Sequence, residues 1–365
     1  MKNFFRPIAA LTAAAMLLCM TACGGSSGGA TETQNTNSGQ STSGSSNSGT
    51  SSDGLLGADS AATRFKVGTT TAPDGHYVLG LIEMQKLLEE YSGGEMTIDI
   101  YPNSALGGES DMMDSVSMGM QDMCLVSTGP IPAFSNATSN WSVLDLPYLF
   151  KNADQAYEVL DGEVGQSLLD EFDGTGIKAL GFWENGFREL TNDKKEIATP
   201  ADLSGMKIRT MENNVHMATY KALGAMPSAL AWGEIFSALQ QGTVDGQENP
   251  LAIILTAKVY EVQHYISMID LFYSPCVLMI NEDIYNGLSD EQRGWFDRAA
   301  EEGKDAERRI SKEIGDKARA DMEAAGVTFT DVDQSVWVSA VQSVYEDPSL
   351  NIDQGLLDKI RSVTG

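Results

Sequence analysis

The chain has 365 residues, enough for two lobes with cores of their own. Its 24 basic residues against 51 acidic ones give a formal charge of −27, which argues against nucleic acid or an anionic lipid surface as partner, since both reward a basic face. A small anionic ligand stays open, because charges further apart than about 8 Å are largely screened at physiological salt and the cations lining a cleft set its local sign.

Lys2 and Arg6 precede a short apolar run at residues 8–20, and Thr21 and Ala22 lead into Cys23. Residues 1–22 therefore read as a lipoprotein signal peptide, cleaved before a lipidated Cys23, with an uncleaved anchor helix as the alternative. Ser, Gly, Thr, Asn and Gln make up nearly all of residues 24–52, so residues 23–60 read as a flexible tether with a reach of about 35 Å. Two acyl chains on Cys23 would hold the folded body outside the cytoplasm, at a membrane surface touched only through the lipid.

Strand and helix patterns then alternate. A strand pattern at 65–68 is followed by a helical run at 76–91, an alternating strand at 96–101, a helix at 109–118 and a strand at 122–127. A helix at 154–172 leads to a strand at 177–183, and further strands are expected at 187–190, 207–209, around Val244 and at 273–280. This order predicts βαβ units and mostly parallel sheets. No flexible linker separates two lobes, which predicts strands that cross between them and act as a hinge. From Ser289, which forms a capping box with Gln292, mixed charges run to Ala325; one helix bridging both lobes is expected, or two if Gly303 or Gly315 breaks it.

Cys124 and Cys276 sit in apolar strand patterns and read as buried hydrophobes, a disulfide between them being the alternative. The three histidines, His76, His216 and His264, have no partners at metal-ligand spacing. Residues 331–336 begin like a calcium loop but carry Val336 where glycine is needed, and read as a solvated turn. The commonest hydrolase, metalloprotease and nucleotide-binding motifs are missing. No enzyme activity, cofactor or metal is implied.

Between residues 203 and 250 a strand around Met206 and Ile208 ends in Arg209, beside a helix opened by Asn213 and Asn214. A guanidinium at a strand end next to a helix start suits a carboxylate, because its parallel donors match the carboxylate's two oxygens.

Several motifs together carry a family resemblance: YP at 101–102 with LGGE at 106–109, DLPYLF at 145–150, GFWENGFR at 181–188, MKIR at 206–209 and QQGTVDGQENP at 240–250. Over residues 64–350 the chain resembles the DctP-type solute-binding proteins of TRAP (tripartite ATP-independent periplasmic) transporters. The resemblance implies an α/β, two-lobed periplasmic-binding-protein-like fold with crossing hinge strands and a long helix spanning both lobes. The lobes would be residues 61–186 plus 275–314, and residues 187–274 plus 315–365.

It also implies a monomer that captures a small organic acid in the cleft and hands it to TRAP membrane permease subunits; a sensor protein presenting the acid to a membrane receptor is the alternative. Arg209 would grip the carboxylate, with Arg188 as a second cation, Asn249 as a polar contact and Trp232 against the carbon skeleton. Their plainer readings are a salt bridge, a strand-end cation, a turn former before Pro250 and a core residue. His76, Asn213 and Glu109 are further candidates from their places at helix starts. Asn185 and Glu248, with Gln247, would make an amide-rich cleft that suits a sugar acid such as a uronate, a C4-dicarboxylate being the other class.

Overall fold

The computed structural model describes residues 54–365. The expected signal peptide, Cys23 and most of the tether lie outside the described residues. Gly54 to Ser60, placed in the tether by sequence, are seated on the body: Leu55 bridges Ile100 in both directions at 2.7 and 3.0 Å, and Ala58 N–H donates to Glu89 at 2.8 Å.

Among these residues eleven strands form two sheets. The strands are β1 (Thr63–Thr69), β2 (Met96–Tyr101), β3 (Met123–Ser127), β4 (Ile177–Phe187), β5 (Glu189–Asn192), β6 (Lys207–Thr210), β7 (Met226–Ala229), β8 (Gly246–Asn249), β9 (Tyr265–Met268), β10 (Tyr273–Asn281) and β11 (Thr328–Asp331). The first lobe holds β2-β1-β3-β10-β4 and the second β11-β9-β5-β8-β6-β7. The β1–β2 and β1–β3 pairs are parallel, as βαβ units require, while β10 runs antiparallel to both its neighbours because it returns from the other lobe.

The crossings are abrupt. Only Arg188 separates β4 in one sheet from β5 in the other, and residues 269–272 carry the chain back from β9 to β10. The two crossings are laddered together: Arg188 N–H donates to Phe272 O at 2.9 Å and Leu271 N–H to Arg188 O at 3.3 Å. A third link is the helix Asp290–Ala324, which starts at the Ser289–Gln292 capping box and is unbroken. It packs first on the helix His76–Tyr91 and β4, then on the helix Leu251–Thr256 and β11.

Glycine placement explains why this long helix tolerates interior glycines. A Cβ on Gly303 would lie 2.8 Å from Met84 Cβ, and one on Gly80 of the facing helix 2.3 Å from Glu307 Cβ. The two helices thus approach closely through these glycines.

The strand expected around Val244 begins only at Gly246, and two helical expectations also differ from the sequence reading. The run expected as one helix at 154–172 is two, Ala153–Leu160 and Glu163–Leu169, turning at Asp161 and Gly162. A Cβ on Gly165 would sit 1.8 Å from Leu160 O, so only glycine permits that close turn. The C-terminal helix Gln354–Thr364, expected with the second lobe, packs on those two first-lobe helices, where Gln155 donates to Thr364 O at 2.6 Å. Its apolar Leu356, Leu357 and Ile360 join a core that runs from Trp141 and Phe182 through Phe272 to Ile208 and Trp337. Local patterning shows that this helix has an apolar face, but not which lobe covers it. Cys124 and Cys276 are free thiols, both buried.

Two alanine substitutions in the long helix separate close packing from propensity. Gly315 has open space around its Cα, so Gly315→Ala is expected to stabilise the fold by about 1 kcal/mol. Gly303→Ala is expected to cost about 1–3 kcal/mol through overpacking against Met84. Urea denaturation of both variants checks this; equal effects would contradict the packing argument.

Candidate functional site

The carboxyl ends of β1, β3, β6 and β8 converge with the β4–β5 crossing on one partly open cavity between the lobes. Its walls include Arg188, Arg209, Asn185, Asn249, Trp232 and Glu109.

Arg209 stands one residue before the end of β6 and is 3% exposed. Its Nε and Nη2 both donate to Leu230 O, at 2.8 and 2.6 Å, and its Nη1 has no partner in the protein. Burial lowers its pKa to about 10, against the pull of Glu248 and with Arg188 adding to the lowering. It remains a cation at neutral pH. Arg188, 1% exposed at the crossing, spends Nε and Nη2 on the Glu248 carboxylate and Nη2 also on Glu248 O at 2.8 Å; its Nη1 too is unpartnered. Each guanidinium is therefore fixed on one edge by the protein and keeps one buried nitrogen free. Buried donors without partners are costly, about 1–3 kcal/mol each and more for charged groups, so this is an unfinished pair of hydrogen-bond sites shaped for an anion.

Glu109 opens the helix Glu109–Ser117, and its carboxylate accepts from Ser127 N–H and Ser127 Oγ–H, both at 2.7 Å. Burial pushes its pKa up, while the Ser127 bonds and the two arginines hold it down. Asn185 donates to Ser274 Oγ at 3.2 Å and its Oδ1 is buried without a partner. Asn249, the last residue of β8, donates to Gln247 Oε1. Trp232 lies on the wall between this cavity and a neighbouring groove that includes Asn103, Phe236 and Lys258.

Residues 67–349 match the model of a family described as bacterial extracellular solute-binding protein, family 7 (DctP). The chain belongs to that family. It is a solute-binding protein of the TRAP type, and its two-lobed α/β fold is that of TRAP periplasmic solute-binding proteins of known structure. A solute-binding protein of Verminephrobacter eiseniae is 38% identical over 304 residues, 83% of this chain and 90% of that one. A TRAP solute-binding protein of Polaromonas sp. JS666, solved bound to D-erythronate, is 36% identical with a TM-score of 0.79, covering 83% of this chain and 99% of that one. Another from Sulfurospirillum deleyianum, solved with bound succinate, is 29% identical with a TM-score of 0.78, covering 83% and 99%.

Three of the site residues expected from sequence do not line the cavity of this solute-binding protein. Glu248 lies behind Arg188 and orients it. Asn213 caps the helix Asn214–Ala222, accepting from Val215 and His216 N–H, and donates to Gly129 O and Asp145 Oδ2 at 2.8 and 2.6 Å, so all its capacity is used between the lobes. His76 is fully buried, its ring edge-on to Tyr77 and its Nε2 3.8 Å from Glu307 Oε1. The helix begins at His76 itself, whose ring faces Glu307 of the long helix while the next residue, Tyr77, reaches the cavity.

The cavity also takes Thr70, Thr71, Tyr77, Ser127, Met211 and Ile253, which the sequence reading missed. A signal was present: Thr70 and Thr71 directly follow β1, Ser127 ends β3 and Met211 follows β6, and ligands in open α/β sheets bind beyond the carboxyl ends of strands.

Buried ionisable groups around the hinge give a pH dependence with a definite sign. Burial raises the Glu189 and Glu307 carboxyls well above the ordinary 4.5, so the stability they add is present below that value and lost as pH rises through their folded values. Burial lowers His76 from 6.5 to about 4, so its contribution is present above 6.5 and lost as pH falls toward 4. Above pH 6.5, where the His76 contribution is complete, melting temperature should fall as pH rises through the raised folded values of the two glutamates, and Glu307→Gln should shrink that fall. Parallel melting curves for both proteins across the range would refute it.

Proposed function

We propose that this solute-binding protein captures a small organic acid, a sugar acid or a C4-dicarboxylate, by holding its carboxylate between Arg209 and Arg188, and delivers it to a TRAP permease. The observation that carries this reading is the pair of buried, unpartnered Nη1 atoms in one interlobe cavity. The two Nη1 groups supply donors to a carboxylate while Leu230 O and Glu248 hold the guanidiniums still, so little side-chain freedom is lost on binding. Relatives solved with D-erythronate and with succinate support an acid of about this size. Asn249 and Trp232 serve as a polar contact and an apolar wall.

The protein acts outside the cytoplasm as a monomer, tethered through lipid on Cys23. Among the described residues no helix is long and apolar enough to cross a membrane. The signal pattern before Cys23 and the tether after it are what support the anchor. The lobes would close about the Arg188 and 269–272 crossings.

A charge-assisted hydrogen bond is worth about 1.5–3 kcal/mol, so Arg209→Ala should weaken acid binding at least about tenfold, and Arg209→Lys should not restore it. Titration calorimetry with an intact melting transition checks this; wild-type affinity in Arg209→Ala would refute the grip. Cell fractionation tests the anchor: the full chain should follow the membrane and Cys23→Ser should not, and identical fractions would count against lipidation.

A further inference from the structure

We infer that the cavity selects a hydroxylated monocarboxylate over a dicarboxylate, with Glu109 repelling a second carboxylate and Asn185 accepting from a ligand hydroxyl. This rests on the carboxylate grip just described and narrows its ligand class.

The charges around the cavity carry the first part. Among the described residues Arg188 and Arg209 are the only cations on its walls. Against them stand Glu248, bound to Arg188, and Glu109, on the wall itself. Glu212 lies on the far side of Arg209, in a space that Glu109 and Arg209 also line. Arg188 is already paired with the Glu248 carboxylate before any ligand enters, and Glu109 shares the cavity wall with Arg209. One ligand carboxylate can be taken on the two free Nη1 groups, because its hydrogen bonds there are otherwise unmade. A second would enter a largely buried space with no cation left for it and with Glu109 on its wall, where like charges repel more strongly than in water.

The unsatisfied polar atoms carry the second part. Besides the two Nη1 groups, the buried unpartnered atoms on the cavity wall are Asn185 Oδ1 and Thr71 Oγ. The Asn185 amide is oriented by its N–H bond to Ser274 Oγ, which leaves the carbonyl for the cavity. An amide oxygen accepts and does not donate, so its complement is an O–H. A carboxylate oxygen presented there would set acceptor against acceptor. Glu109, with both oxygens already receiving from Ser127, has further lone pairs for another hydroxyl.

Acids of equal carbon count separate these terms. Calorimetry of the wild-type protein with D-erythronate, succinate and butanoate, at neutral pH, should give the tightest binding for D-erythronate, by about tenfold or more over each of the others. Glu109→Gln keeps an acceptor for Ser127 N–H and removes the charge, so it should narrow the gap between D-erythronate and succinate. Asn185→Leu should narrow the gap between D-erythronate and butanoate, because it removes the acceptor for the ligand hydroxyl. Succinate binding the wild-type protein as tightly as D-erythronate, with both lost in Arg209→Ala, would overturn this inference while the carboxylate grip stood. Failure of all three acids, and of galactonate as a longer hydroxy acid, would overturn both. A selectivity unmoved by Glu109→Gln, in a variant with wild-type melting, would overturn the role of Glu109.

Discussion

Burying two guanidiniums beside one another is the constraint on which the rest of this structure depends. An isolated buried charge is expensive, and Arg188 beside Arg209 adds like-charge repulsion. The fold meets the cost with groups supplied from several places. Glu248 on β8 faces Arg188 at the crossing, and Leu230, just beyond β7, gives its carbonyl to Arg209. The β5–β8 ladder that pairs Leu190 with Glu248 sets where the Arg188–Glu248 pair forms. The crossing, the second-lobe sheet order and the electrostatics of the cavity are therefore one arrangement.

That arrangement also puts the site where the lobes meet. Glu109, Ser127 and the threonines after β1 come from the first lobe; Arg209, Asn249 and Trp232 come from the second; Arg188 belongs to the link between them. An anion taken on both arginines touches the element that joins the sheets. Around the link, Glu189 accepts from Ile269 and Asp270 N–H at 2.6 and 3.0 Å, and Glu184 accepts from Tyr157 and Tyr273 at 2.6 and 2.7 Å. The crossing strands are thus held by buried carboxyls on both sides, and burial raises the titration of both Glu184 and Glu189.

The sequence made legible what depends on local pattern or on a motif. The alternation of strands and helices, the capping box at Ser289 and the cation at the end of β6 all follow from neighbours within a few residues. Arg188, Asn249 and Trp232 could be named from the family resemblance, Glu109 from its place near a helix start and Asn185 from the amides beside them, and each lines the cavity. His76, Asn213 and Glu248 could not be sorted by the same means. A residue at a helix start can serve the ligand, cap the helix or face another helix, and only tertiary packing decides among these. Asn213 shows the point: its amide is consumed by Val215, His216, Gly129 and Asp145, the last two distant in sequence. The C-terminal helix lay beyond reach for the same reason, since its apolar stripe says that it packs but not on which lobe.

A crystal structure of the complex with a bound hydroxy acid tests the central claim most directly. The account predicts one carboxylate contacting Nη1 of both Arg188 and Arg209 at about 2.7–2.9 Å, with Leu230 and Glu248 still holding the opposite edges. A carboxylate seated away from both arginines, or one that displaces Glu248 from Arg188, would contradict it.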